Sequence, residues 1–187
     1  MDKELIKGLI AEYQQFVKSV SFVKRAVTLS DNFNYVFVGL RRVGKSYLMY
    51  QQIHHLIETG ISPEEILFFN FEDERIAGMD TEHLDMIKRC YEEMYSHRPI
   101  FFLDEIQIVP HWEQFVRRLA DQKYRVYVTG SNAKMLSKDI ATTLGGRFMI
   151  QYVYPFSFRE YLSSNGVQLD KLWIYKNLSL IHISEPT

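Results

Sequence analysis

The sequence has one cysteine, no long apolar run and almost no net charge. Its only cysteine, Cys90, excludes a disulfide framework and fits a reducing compartment. Lysine and arginine number 22 against 23 acidic residues, a formal net charge of -1, so no global basic bias argues for nucleic acid. No apolar run reaches the roughly 18 residues of a membrane-spanning helix, and Met1–Glu4 does not open a signal peptide. These absences favour a cytoplasmic location and no membrane partner.

The apolar residues that are present follow a pattern typical of an α/β protein. Hydrophobic residues make up 47% of the chain and aromatic residues 14%, which is enough for a sizeable core. Segments of strand character alternate with helical patterns, and the predicted strands are Tyr35–Val38, Ile66–Phe71, Ile100–Leu103, Arg125–Val128 and Phe148–Tyr154. This alternation predicts a mostly parallel five-stranded sheet in a three-layer arrangement, with helices on both faces. Ligands of such sheets bind at the carboxyl ends of the strands.

The segments before the first and third predicted strands differ in how clearly they predict helices. Apolar residues recur at helical spacing at Leu5, Leu9, Tyr13, Phe16 and Val20, with Ile6, Ile10 and Val17 beside them. They predict an amphipathic N-terminal helix that needs a partner surface. Residues 21–29 show no clear periodicity, and their structure stays open. Thr81 is expected to cap the helix before the third strand.

One stretch, residues 39–46, fills the template G-x-x-x-x-G-K-[ST] of a phosphate-binding loop between a strand pattern and a helical one. Glycines lack a Cβ atom, so the backbone can turn its N–H groups toward an anion, and the helix N-terminus adds its dipole. Lys45 is expected to reach the β- and γ-phosphates of ATP, and the Ser46 hydroxyl is expected to bind Mg²⁺. The predicted nucleotide-binding residues are Gly39, Arg42, Val43, Gly44, Lys45, Ser46 and Tyr47.

Two carboxylates, Asp104 and Glu105, directly follow the third predicted strand. At the carboxyl edge of a parallel sheet they are expected to lie beside the phosphate-binding loop. Asp104 is predicted to share Mg²⁺ with Ser46, and Glu105 is predicted to orient or deprotonate the attacking water. The alternative is a surface Asp-Glu pair that happens to follow a strand.

Asn132 and Arg147 are two further candidates for catalysis. Asn132 ends the fourth strand, where its amide can hydrogen-bond the γ-phosphate or the water, and it suits a helix N-cap equally well; Ser131 is the alternative residue for this role. Arg147 precedes the fifth strand and is a candidate arginine finger that reaches a γ-phosphate bound by a neighbouring subunit. The alternative for Arg147 is a solvated arginine at a strand edge.

These residues favour ATP binding and Mg²⁺-dependent hydrolysis to ADP and phosphate. One alternative is a nucleotide-gated binding module, in which ATP switches contact with a partner and hydrolysis is slow or absent. Another is a small-molecule kinase, although an acidic pair followed by a polar residue on the next strand suits hydrolysis better. The sequence is compatible with a homo-oligomer and with a DNA or protein client, and it identifies neither.

With these motifs in place, the sequence resembles an AAA-type P-loop ATPase of a large bacterial and archaeal family. In that family the ATPase core precedes a nuclease-like C-terminal domain of unknown function. The resemblance covers about residues 5–162, and it implies a sheet with the strand order 5-1-4-3-2. It rests on similarity to the family's Walker A motif at residues 39–46, Walker B motif at 101–107, sensor 1 segment at 129–132, and G-R and P-F-S-F-x-E-[FY] signature at 146–147 and 154–161.

Composition and resemblance together predict three segments. Residues 1–155 are expected to form the AAA-like core with its N-terminal helix. Residues 156–177 are expected to begin an incomplete helical lid or C-terminal region, with helical character over residues 157–164. Residues 178–187 resemble the translation of a sequencing-library adaptor and are expected to be a non-native tail. In that case the preceding residues are expected to be the N-terminal part of a longer protein. The alternative for this tail is a genuine short amphipathic end.

Overall fold

A computed structural model of the protein describes residues 2–131 and 142–166. The strands are β1 Asn34–Gly39, β2 Ile66–Asn70, β3 Ile100–Asp104, β4 Val126–Ser131 and β5 Phe148–Tyr152. The helices are α1 Lys3–Ser19, α2 Lys45–Glu58, α3 Thr81–Met94, α4 Trp112–Asp121 and α5 Phe158–Ser164. Single 3₁₀ turns lie at Pro63–Glu65, Glu74–Ile76 and Ile106–Ile108. The predicted helical segment at residues 157–164 is therefore confirmed, with Ser157 as the N-cap of α5.

The five strands form one sheet in the order β2-β3-β4-β1-β5, and all neighbouring strands run parallel. This order confirms the prediction 5-1-4-3-2, read from the opposite edge. The register aligns the carboxyl ends of the strands: Gly39 lies opposite Ser131, and Asn70 lies opposite Asp104. The loops that follow β1 and β3 therefore begin at the same edge of the sheet, which is where the predicted site residues lie.

The core surrounds the central strands, which are buried on both faces because helices cover them. Helix α1 packs on β2 and α3, α2 packs on β1 and β4, and α4 packs on β4 and α3. The ring of Phe102 on β3 stacks on that of Tyr127 on β4, with the ring centroids 4.5 Å apart. Cys90 is buried in this core. Within residues 2–131 and 142–166, no helix has both the length and the apolar character needed to span a bilayer.

Three local predictions are wrong in detail. Asp80, not Thr81, caps α3, since its carboxylate accepts hydrogen bonds from the backbone of the first helical turn. Strand β5 ends at Tyr152 instead of Tyr154, because Tyr152 pairs with Val38 and β1 itself ends one residue later at Gly39. Helix α1 buries most of the predicted apolar set, but Leu5 and Phe16 lie at the margin of the buried face and are exposed. Its buried face consists of Ile6, Leu9, Ile10, Tyr13, Gln14 and Val17.

Candidate functional site

Residues 39–46 are here called the glycine loop. The loop needs its two glycines, Gly39 and Gly44, for different reasons. Gly44 is the N-cap of α2 and has a φ of 93°, a left-handed conformation that favours glycine. Gly39 is needed for a close approach of two backbones. A Cβ atom there would lie 2.3 Å from the carbonyl oxygen of Val153 and 2.9 Å from Cγ2 of Val43. The loop therefore begins in tight contact with the chain after β5 and ends at the N-terminus of α2.

Lys45, the first residue of α2, lies inside the glycine loop with only 4% of its surface exposed. Its Nζ donates a hydrogen bond to the carbonyl oxygen of Leu40 at 3.2 Å and lies 3.3 Å from Oε1 of Glu105. A buried ammonium group is tolerated because it is paired in this way. The contact shows that the glycine loop and the acidic pair after β3 face each other.

Asp104 ends β3 and is almost completely buried. Burial raises the pKa of its carboxyl group to about 6, while hydrogen bonds from the hydroxyls of Thr129 and Ser46 act in the opposite direction. The carboxylate of Asp104 and the hydroxyl of Ser46 thus lie within hydrogen-bonding distance. These two oxygen groups fit Mg²⁺, which is a hard cation that prefers oxygen ligands.

Glu105 adopts a left-handed backbone conformation, with a φ of 52°, directly after β3. Such a conformation costs on the order of 1–3 kcal/mol in a non-glycine residue and persists where the surroundings enforce it. Here the backbone N–H of Glu105 donates to Oγ1 of Thr129 at 2.8 Å. The amide of Gln107 donates to Oε2 of the Glu105 side chain. The Glu105 carboxylate is therefore held beside Lys45.

Thr129 was not among the site residues predicted from the sequence, although Asn132 of the same segment was. Thr129 is fully buried on β4, and its hydroxyl accepts from the Glu105 backbone while donating to the Asp104 carboxylate. One side chain therefore fixes both members of the acidic pair. The available signal was a polar residue at the carboxyl end of a buried strand that neighbours β3.

Two adjoining cavities surround the glycine loop. A polar cavity of about 610 Å³ is lined by Arg41, Arg42, Gly44, Lys45, Ser46, Tyr47, Glu72 and Glu105. A largely apolar cavity of about 580 Å³ is lined by Val23, Arg25, Leu40, Arg41, Arg42, Val43, Gly44, Tyr47, Pro155 and Phe156. Because both include Arg41, Arg42, Gly44 and Tyr47, they adjoin along the loop. A polar and an apolar compartment side by side suit a ligand that joins a polyphosphate to an aromatic ring.

The apolar cavity is lined in part by residues that were not among the predicted site residues. Val23 and Arg25 come from the segment before β1, which showed no periodicity, and Phe156 follows β5. Arg25 is buried, its guanidinium donates to the carbonyl oxygen of Val43 at 3.2 Å, and it lies 4.7 Å from the ring centroid of Phe156. No local pattern marks an irregular segment as part of a cavity wall.

Arg147 lies away from these groups, and Asn132 falls outside the described residues. Arg147 directly precedes β5 and is therefore at the amino edge of the sheet, opposite the glycine loop. Its Nε contacts Oδ1 of Asp121 at 2.5 Å. Within its own subunit Arg147 does not line either cavity, so its predicted role as a finger requires a second copy of the chain.

Comparisons with known proteins identify related sequences. The family model described as an AAA domain matches residues 31–162. An uncharacterized protein of Methanocaldococcus jannaschii is 32% identical over 171 residues, which cover 90% of this chain and 37% of the relative. An uncharacterized protein of Haemophilus influenzae is 35% identical over 162 residues, which cover 82% of this chain and 40% of the relative. The chain therefore spans well under half the length of these relatives.

Two solved structures are similar in fold. AMPPCP-bound DnaA from Aquifex aeolicus is 15% identical, with a TM-score of 0.48, over 89% of this chain and 52% of that one. The closed state of Hsp104 with ATPγS and FITC casein is 13% identical, with a TM-score of 0.47, over 86% of this chain and 28% of that one. Since the AAA domain match extends over most of the sequence, the chain belongs to the AAA domain family of ATPase-type modules.

Proposed function

We propose that the chain is the nucleotide-binding core of an Mg²⁺-dependent ATPase, which hydrolyses ATP to ADP and phosphate. One observation carries this proposal. Lys45, Ser46, Asp104 and Glu105 come from two distant segments and meet at the carboxyl edge of the sheet, beside a polar cavity. Membership of the AAA domain family supports the same function.

Each of these side chains has a chemical role in the proposal. The glycine loop and Lys45 bind the β- and γ-phosphates, and Ser46 and Asp104 hold Mg²⁺. When bound, the ion neutralises phosphate charge. Lys45 exchanges its contact with Glu105 for phosphate oxygens, which leaves the Glu105 carboxylate to orient the attacking water and accept its proton. Thr129 holds Asp104 and Glu105 in place.

The apolar cavity beside the loop is assigned to the adenine ring. Its lining offers Val23, Leu40 and Phe156, and it continues into the polar cavity along Arg42 and Tyr47. Arg42 has a φ of 63°, so its backbone bends between the two compartments. Val43 and Tyr47 also line this cavity, and in this proposal they contact the base or the ribose.

Phosphate release from Mg-ATP, measured without any acceptor, tests the proposal. Lys45→Ala is expected to abolish nucleotide binding, and Glu105→Gln is expected to keep binding but lose about 100-fold or more in turnover, the usual contribution of a general base. Lys18→Ala and Glu82→Gln change exposed residues on α1 and α3 and serve as controls. Hydrolysis by Glu105→Gln at the parental rate would remove the role given to Glu105.

The same assay separates the two alternative functions. In a nucleotide-gated module, bound ATP dissociates faster than it is hydrolysed, so that little or no phosphate is released. Single-turnover kinetics compares these two rates. A small-molecule kinase releases no free phosphate without an acceptor, and when an acceptor is added it transfers the γ-phosphoryl group to that acceptor and releases ADP. The observation that favours hydrolysis is the position of Glu105, since its carboxylate faces the polar cavity.

Further parts of the proposal concern two more residues, the division of the chain into segments, and the longer protein. Asn132 is proposed to sense the γ-phosphate, and Arg147 to complete the site of a neighbouring subunit in a homo-oligomer. Residues 1–155 are proposed as the core and residues 156–177 as the start of a lid. The matched segment is 37–40% of the relatives' length, which leaves room for a nuclease-like C-terminal domain. A DNA or protein client remains a proposal for that whole protein.

A further inference from the structure

Arg25 connects three segments that are far apart in the sequence. The residue lies in the irregular segment between α1 and β1, and only 8% of its surface is exposed. Its Nη1 donates to the carbonyl oxygen of Val43 in the glycine loop at 3.2 Å. Its Nη2 donates to the carbonyl oxygen of Tyr154 after β5 at 2.7 Å, and its Nε donates to Oε1 of Glu160 on α5 at 2.8 Å. One guanidinium group therefore holds the loop, the end of the sheet and α5 together.

Both carboxylate oxygens of Glu160 are fully engaged. Oε1 accepts from Arg25 and from the backbone N–H of Ala26 at 3.3 Å. Oε2 accepts from the backbone and the hydroxyl of Ser157, at 2.8 and 2.9 Å. Although burial raises it, these hydrogen bonds lower the pKa of Glu160 to about 2. Glu160 therefore stays ionised at neutral pH and fixes both the start of α5 and the guanidinium of Arg25.

The contact with Val43 bears on the orientation of the glycine loop. A trans peptide unit is planar, so the N–H of a residue points away from the carbonyl oxygen of the residue before it. Because Arg25 binds the carbonyl oxygen of Val43, the N–H of Gly44 is turned away from Arg25. Gly44 is also the N-cap of α2, where backbone donors are available to an anion.

We infer that Arg25 is a positioning residue that couples nucleotide binding in the glycine loop to α5 through Glu160. This inference rests on the proposed function, because it assigns a nucleotide to the loop. Arg25 presets the direction of the Gly44 N–H, so the loop is organised before the phosphates arrive. The coupling is reciprocal, since linkage requires that a bound nucleotide also holds α5 more firmly. Nucleotide occupancy is thereby transmitted to the chain that follows β5.

Calorimetric titration with Mg-AMPPNP tests the first half of the inference. Arg25→Gln and Glu160→Ala are each expected to raise the dissociation constant about tenfold or more, the loss typical of one charge-assisted hydrogen bond. The double variant should bind no more weakly than Arg25→Gln, because Glu160 acts through Arg25. Ser157→Ala is the matched control: it removes the hydroxyl cap of α5 but leaves the bond between Arg25 and Glu160 in place.

Hydrogen exchange of the backbone amides in residues 158–164 tests the second half. Mg-AMPPNP should slow this exchange in the parent protein, and it should do so much less in Glu160→Ala at a nucleotide concentration that saturates the variant. If Arg25→Gln does not fold, Glu160→Ala and the exchange of the parent still decide the question. A merely structural role for Arg25 would lower stability without changing the response of α5 to nucleotide.

The outcomes separate this inference from the proposed function. A parent protein that fails to bind Mg-AMPPNP would refute both. A parent that binds, with unchanged affinity in Arg25→Gln and Glu160→Ala, would refute the inference alone. Equal weakening in Ser157→Ala and Glu160→Ala would also refute it, because the effect would then come from the stability of α5. An exchange rate of the amides in residues 158–164 that is the same with and without Mg-AMPPNP would refute the reciprocal coupling.

Discussion

Replacing Gly39 with alanine is expected to destabilise the fold, because the new methyl group has no room. It would lie 2.3 Å from the carbonyl oxygen of Val153 and 2.9 Å from Cγ2 of Val43. Relieving the first contact requires a backbone shift on the order of 1 Å, since packed atoms resist closer approach. That shift strains the hydrogen bond from the Val153 N–H to the carbonyl oxygen of Val38, which is 2.7 Å long.

The magnitude follows from two contributions. Forcing an extra methyl group into a packed site costs about 1–3 kcal/mol, and the weakened hydrogen bond adds about 1 kcal/mol. The free energy of unfolding should therefore fall by about 2–4 kcal/mol in Gly39→Ala. For a protein of this size, that corresponds to a Tm lower by roughly 5–15 °C in a circular dichroism melt. Nucleotide affinity should also fall, because the shift moves the start of the glycine loop.

Gly8→Ala is the matched control for this prediction. Gly8 is exposed on α1, and a Cβ atom there would meet nothing within 4 Å. Alanine at an exposed helical position should raise stability by about 0.5–1 kcal/mol. The same substitution is thus expected to act in opposite directions at the two sites. A Gly39→Ala protein that melts at or above the parental Tm would refute the close approach of the two backbones.

Two more predictions concern the site itself. Because burial raises the pKa of Asp104 from 3.8 to about 6, its carboxylate destabilises the ligand-free fold as the pH rises through that interval. Asp104→Asn should therefore stabilise the protein by about 1–3 kcal/mol at pH 7.5 in EDTA, but not at about pH 4, while weakening Mg-ATP binding. Urea titrations at the two pH values check this, and a gain of the same size at both would contradict it. Mg-ATP at 100 times its dissociation constant should stabilise the parent by about 2.7 kcal/mol, and a melting scan that shows no shift would argue against nucleotide binding.

The sequence by itself determined the order of the elements and where the candidate site residues lie in the sheet. Alternating strand and helix patterns depend on the periodic burial of side chains, which is a local property, so the parallel sheet could be predicted. The strand order came from the family resemblance and is confirmed. The spacing of Gly39, Gly44, Lys45 and Ser46 is likewise local, because the proposed phosphate-binding loop is a single turn of backbone. Asp104 and Glu105 could be placed because strand ends in a parallel sheet share one edge.

Only the tertiary structure decided how these groups are held. The contacts of Thr129 with the acidic pair and of Arg25 with Val43 and Glu160 join residues distant in the chain. Such contacts produce no periodic pattern in the sequence, because they depend on how helices, strands and loops that are distant in the chain pack together. The need for glycine at position 39 likewise arises from the passing backbone of Val153. Local spacing therefore determined which residues form the loop, and long-range packing determined what fixes their orientation.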